Sequence, residues 1–242
     1  MNTRAPETTR TPRDDALMAR ALRWSELFSH WSDAHSDALL KFARLVRYPR
    51  RTQVLARASQ RRELLVVVSG CLEISSIGVL GQKYVHNFLG PGHVVPLVRL
   101  LEERPLESYD YHAHEDSVVI HLPCDAVIAV LDSEPTLWRD VAWLSLRRQR
   151  LSMAALQIQN LGSIRCRVAA TLMNLVETSG LEQQAGVKLR LSQHHLAAML
   201  SLSRQTINKE LGALVDRGVI ELSYKHVIVR DQDALRRISA EG

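Results

Sequence analysis

Four side chains able to read hydrogen-bonding edges stand close together near the C-terminal end of this 242-residue chain: Arg204, Gln205, Asn208 and Lys209. Arginine and lysine donate to acceptors such as guanine O6 and N7, while the amides of glutamine and asparagine donate and accept at once, the pattern adenine presents. Such groups act together only if one rigid element offers them to a groove. Residues 192–217 read as that element, two short helices joined by a tight turn. Ser192 and Ser203 stand at the two N-cap positions, where a hydroxyl accepts from orphan backbone N–H groups. Leu196, Ala197 and Leu200 face Ile207, Leu211 and Leu214 at helical spacing, and the small Ala197 lets the helices cross closely. The apolar residues claim one face and leave the four polar ones on another. A helix-turn-helix offers side chains to the DNA major groove in this way. On spacing alone an ordinary helical hairpin fits as well; the paired caps and the polar face favour DNA.

The residues that follow extend the motif. Gly218 stands at a helix C-terminus, and residues 219–223 and 227–230 read as strands around Tyr224, Lys225 and His226, making a winged helix-turn-helix closed by a short helix over 233–238. Ser192, Ser203, Thr206 and Lys225 are expected on phosphates, which position the helix without specifying sequence. For Lys225 and His226 taken singly, a solvated turn fits equally well.

Upstream elements must position this module. Residues 1–15 are polar, contain Pro6 and Pro12, and read as a mobile tail. Helical periodicity occupies 16–46, then short Val, Ile and Leu runs punctuated by glycines cover 53–122, as in an antiparallel roll. A helix opens at Pro123-Cys124-Asp125 and a longer one spans 136–161. In the latter, Leu137, Val141, Leu144, Leu151, Ala155 and Ile158 follow alternating steps of four and three, interrupted by Arg148, which is the period of a two-stranded seam. The same pattern would serve a helix packed on its own roll. Gly162 interrupts the helical pattern before the next helix, at 165–178, and marks either a hinge or a plain cap.

The run Leu-Ser-Gln-His-His-Leu-Ala-Ala-Met-Leu-Ser-Leu-Ser-Arg-Gln-Thr-Ile-Asn-Lys-Glu-Leu, followed by Asp-Arg-Gly-Val-Ile, resembles the DNA-binding domain of the cyclic AMP receptor protein/FNR (CRP/FNR) family of bacterial transcription regulators. Upstream, Val66 to Ile74 and Phe88-Leu89-Gly90-Pro91-Gly92 look like that family's sensor, so the likeness runs from about Ala21 to Ile238. The resemblance implies an α+β chain: a cyclic-nucleotide-binding-like β-roll with flanking helices (16–135), a dimerisation helix (136–161) and a winged helix-turn-helix domain (162–242). It implies a cytoplasmic homodimer on a palindromic operator, its recognition helices meeting successive major grooves about 34 Å apart, with RNA polymerase as a further partner. Gln205 departs from the glutamate usual in the family.

The same resemblance places the effector pocket at Pro96, Leu97, Glu107, Ser108, Ser152 and Met153, and finds it degenerate. Cyclic-nucleotide-binding members carry a Gly-Glu pair for the ribose and an Arg-Ser pair for the phosphate. Here the first pair is Pro96-Leu97 and the second Glu107-Ser108; leucine cannot accept from ribose and glutamate repels the phosphate. Ser152-Met153 replaces the pair expected to read the base. Cyclic AMP is therefore disfavoured. An iron–sulfur cluster is disfavoured too, since its four thiolates are missing. For a haem, His86, His93, His112, His114 and His121 are candidate ligands by type alone. The cofactor stays unknown, and a haem- or redox-sensing regulator of the same fold is an open alternative.

Composition agrees with these expectations. The formal charge of +5 and a pI near 9.4 suit a polyanionic partner. Cys71, Cys124 and Cys166 are odd in number and lack metal-ligand spacing, so no metal is expected and the thiols read as reduced and buried. No apolar run is long enough to span a bilayer. No Walker loop, His-Glu-x-x-His or Gly-x-Ser-x-Gly is present, so no enzyme is expected. A binding module that regulates an enzyme is the remaining alternative from another class.

Overall fold

The computed structural model describes residues 11–79, 81–102, 109–184, 186–223 and 226–241. In chain order the elements begin with α1 (Pro12–Trp24), α2 (Asp33–Leu40), β1 (Arg44–Tyr48), β2 (Gln53–Leu55), β3 (Glu63–Ser69) and β4 (Leu72–Ile77). Next come β5 (Lys83–Leu89), β6 (Val94–Val95), β7 (Asp110–Ala113), β8 (Ser117–Pro123), α3 (Cys124–Ser133) and α4 (Trp138–Leu161). The last are α5 (Ile164–Ser179), β9 (Leu181–Gln183), β10 (Gly186–Leu189), α6 (Gln193–Leu200), α7 (Arg204–Asp216), β11 (Ile220–Ser223), β12 (His226–Val229) and α8 (Gln232–Ser239). They form two compact units. Among the described residues, one gathers 11–72, 91–102 and 112–145, the other 73–90, 109–111 and 146–241.

The first unit is built on an antiparallel sheet of order β1-β8-β3-β6. Alternation along its strands sends Leu64, Val66, Ile120 and Leu122 to one face. There they bury with Met18, Leu22, Phe28, Leu39, Val127 and Leu131 of the flanking helices. The β3–β4 turn requires glycine: Gly70 has φ +84°, and a Cβ there would collide with the Ser117 hydroxyl. Two expectations fail in this unit. The polar stretch read as a tail to Asp15 is helical from Pro12, because Thr11 and Asp14 cap each other reciprocally and Arg47 holds the Asp14 carboxylate at 2.7 Å. Residues 44–46, read as helix, pair with β8 in the register Arg44 to His121 and Val46 to Val119.

A polar row crosses this sheet. Arg44 donates to Glu63 Oε1 at 2.7 Å, His121 Nδ1 lies 2.9 Å from Glu63 Oε2, and Tyr48 Oη lies 2.8 Å from His121 Nε2. An ionised carboxylate only accepts, so Nδ1 carries the donated proton. Burial pushes the Glu63 pKa up, but the bonds and charges of His121 and Arg44 outweigh it and bring it down to about 2. Burial pushes the Tyr48 phenol up to about 12.

The second unit holds a sheet of order β11-β12-β10-β9, with Val187 opposite Val229 and Leu222 opposite Val227. Helix α5 buries Cys166, Val168, Ala169, Leu172 and Leu175, and α8 adds Leu235 and Ile238. The wing strands and closing helix lie where the sequence suggested; β9 and β10 were not anticipated. The β4–β5 hairpin also packs in this unit, on α5 and α6. All three cysteines are free and buried.

Candidate nucleic-acid interface

Helix α7 begins at a Ser203 cap, whose Oγ accepts the Thr206 N–H at 3.1 Å and lies 2.8 Å from Thr206 Oγ1. Its Ile207, Leu211 and Leu214 are buried, which turns Arg204, Gln205, Asn208 and Lys209 outward, all four exposed. Helix α6 is capped by Ser192: its Oγ accepts from the His195 N–H at 3.3 Å, and its own N–H donates to His195 Nδ1 at 3.2 Å. Ser201 makes the turn between the helices at φ 52°, a left-handed C-cap. The hydroxyls of Ser192, Ser203 and Thr206 are thus engaged at helix starts, and Lys225 lies outside the described residues.

Two arginines that sequence reasoning passed over fasten the motif to α5. Arg165 pairs with Glu210 of α7 at 3.0 Å, and Arg167 donates to the Leu200 carbonyl at the end of α6 at 2.9 Å. Two basic residues flanking Cys166 at a helix start were their only signal. Beside Arg204 opens a cleft of about 360 Å³ lined by the α6 start (Ser192, Gln193, His194) and the wing strands (Leu222, Ser223, His226). Every ionisable residue on this lining is basic in type.

The residues proposed for the effector stand on separate elements or outside the described residues. Pro96 precedes the 3-10 turn Leu97–Leu100, and Leu97 packs against the hydrophobic core of the first unit. On that turn Arg99 is buried and donates to the carbonyls of Ser59 and Arg61. Ser152 and Met153 are exposed on α4, and Glu107 and Ser108 lie outside the described residues. Of the histidines considered for haem, His121 is engaged by Glu63 and Tyr48. His86 Nε2 lies 2.8 Å from Ser76 Oγ, its ring is flanked by Tyr84 and Tyr109, and burial lowers its pKa. Gly162 joins α4 to α5, its N–H donating to the Ile158 carbonyl at 2.8 Å. A Cβ there would stand 2.6 Å from that oxygen.

Two families match this chain: the Crp-like helix-turn-helix domain over residues 166–238 and the cyclic nucleotide-binding domain over 45–134. The chain belongs to the CRP family of transcriptional regulators. The Cyclic AMP receptor protein of Thermus thermophilus is 28% identical over 218 residues, covering 90% of this chain and 98% of that protein. The nitrogen fixation regulation protein FixK of Azorhizobium caulinodans is 23% identical, covering 80% and 78%. In fold, the chain resembles the structure of FixK2 from Bradyrhizobium japonicum, with a TM-score of 0.70 at 17% identity over 83% of this chain and 98% of that one. A CRP-family regulator with a DNA-binding helix-turn-helix and a cyclic nucleotide-binding domain thus accounts for both matched segments. Among the described residues no helix is long and apolar enough to cross a membrane.

Proposed function

We propose that this regulator binds a palindromic operator as a homodimer in the bacterial cytoplasm, and that its sensor does not use cyclic AMP in the usual way. The observation that carries the DNA reading is the outward set Arg204, Gln205, Asn208 and Lys209 on a capped helix whose other face is buried. Arg204 pairs bidentately with guanine O6 and N7, and Gln205 favours adenine where a glutamate would accept from cytosine. Ser192, Ser203, Thr206 and Lys225 bear on the phosphates, and RNA polymerase is the further partner. Support for the homodimer comes from α4, where Leu151 and Ala155 are exposed and Ile158 half-buried along the seam, although Val141 and Leu144 are covered.

Side-chain chemistry counts against cyclic AMP. Leu97 is committed to a hydrophobic core and has no acceptor for a ribose hydroxyl. The Thermus thermophilus relative is named for its own ligand; in this chain Pro96-Leu97 and Glu107-Ser108 stand where the resemblance expects the Gly-Glu and Arg-Ser pairs. Selection of duplexes from a randomised pool, followed by titration of the selected site in increasing salt, tests the reading. A palindromic consensus bound by dimer is the expected result. Binding without sequence preference overturns it.

A further inference from the structure

The β4–β5 hairpin carries a polar anchor that base reading does not use. Asn87 of β5 accepts, at Oδ1, the Asn174 Nδ2–H of α5 at 3.1 Å and the Phe88 backbone N–H at 2.9 Å; the Thr178 hydroxyl lies 3.3 Å away. Just beyond β5, the Gly90 N–H donates to the Thr178 carbonyl at 2.6 Å. The approach there is close, since a Cβ on Gly90 would stand 3.2 Å from that carbonyl. Between these two anchors the Phe88 ring packs on His195 of α6, centroids 5.5 Å apart, and His195 closes the Ser192 cap. One strand therefore grips α5 by hydrogen bonds and α6 by the ring that sets its start. Arg204, Gln205, Asn208 and Lys209 remain exposed in this arrangement, so the grip leaves the reading face open.

We propose that Asn87 is a positioning residue for DNA binding, holding α5 and the helix-turn-helix in one orientation on the β4–β5 hairpin so that a dimer accepts one half-site spacing. The proposal rests on the DNA reading above. A bivalent binder gains affinity from its second site only when that site falls where the first engagement puts it. Loosening the anchor leaves each recognition helix intact but spreads its positions. The cost then falls on two-site binding alone.

The test uses the full chain as wild type, Asn87→Ala and Asn87→Asp, against the selected operator, the same operator with one or two base pairs added or removed, and a single half-site. Asn87→Asp keeps an oxygen acceptor for the same donors and should behave as wild type. Asn87→Ala should bind the operator about tenfold more weakly, accept altered spacings more evenly and bind the half-site unchanged. Asn174→Ala removes the partner from the other side and should reproduce this if Asn87→Ala folds poorly. An unchanged spacing preference in the alanine variants overturns the proposal. Amide exchange at Gly90 is measured in parallel, with protection expected in wild type and Asn87→Asp and lost in Asn87→Ala. A wild type that binds no duplex overturns the DNA reading instead, and the Gly90 exchange then decides the anchor: equal protection in all variants overturns it.

Discussion

Single side chains in this chain carry separable jobs. Arg204 has no packing role, since its helix buries only the opposite face. Arg204→Ala should therefore cost operator binding about 1–3 kcal/mol and relax specificity at one base pair, leaving the melting temperature unchanged; a binding-site logo identical to wild type would remove Arg204 from base readout. Glu63 is the opposite case, a buried carboxylate of the first unit. Glu63→Ala strands His121 and half-exposed Arg44, and chemical denaturation should show a loss of about 2–3 kcal/mol. The folded Glu63 pKa of about 2 lies below the ordinary 4.5. Its contribution is thus fully present above the ordinary value and lost as pH falls through the folded one. Acidification from about pH 5 to pH 2 should destabilise wild type more than Glu63→Gln, as followed by midpoint denaturant concentration. Parallel pH curves would count against the Glu63 ionisation as the cause.

At the scale of elements, α4 changes character along its length. Val141 and Leu144 are covered by the first unit's core, whereas Leu146, Met153 and Leu156 are exposed and Leu151 is 42% exposed. Leu151→Arg should convert a dimer to a monomer in sedimentation without lowering the helical content; a variant that still sediments as a dimer would exclude this half of the seam. Gly162→Ala must displace the Ile158 carbonyl, so the α4–α5 junction has to shift. DNA affinity should change with it, and unaltered affinity and effector response in fluorescence anisotropy would reduce Gly162 to a cap. The helix-turn-helix is legible in sequence because its caps, Ser192 and Ser203, and its apolar spacing are local. Strands β9 and β10 are not, because they are only three and four residues long and are held by pairing with each other and β12. The α1 start is misread for a related reason, since the polar residues of a cap look like those of a tail. Arg44 to Tyr48 has no local preference strong enough to reveal that β8 will claim it. Asn87, Arg165 and Arg167 escape sequence reasoning because their partners on other elements are 33 to 91 residues away.

For the molecule as a whole, the expected behaviour is operator binding by purified protein without added cyclic nucleotide. Calorimetric titration with cyclic AMP and cyclic GMP, followed by operator binding with each, should show no tightening. A ligand can shift an equilibrium only by its differential affinity for the two states. Micromolar nucleotide binding coupled to tighter operator binding would reverse this conclusion. Burial of the native thiols has a use of another kind. Cys71 and Cys124 lie in the first unit and Cys166 in the second, one turn beyond Gly162, with Ser163 Oγ 3.1 Å from its sulfur. Burial pushes the Cys124 thiol up to about 11, which slows its reaction further. A thiol reagent must wait for each site to open, so the labelling rate of each sulfur reports a local opening free energy. Without any introduced label, the unmodified chain has a separate clock in each unit, and the clock at Cys166 runs beside the α4–α5 junction.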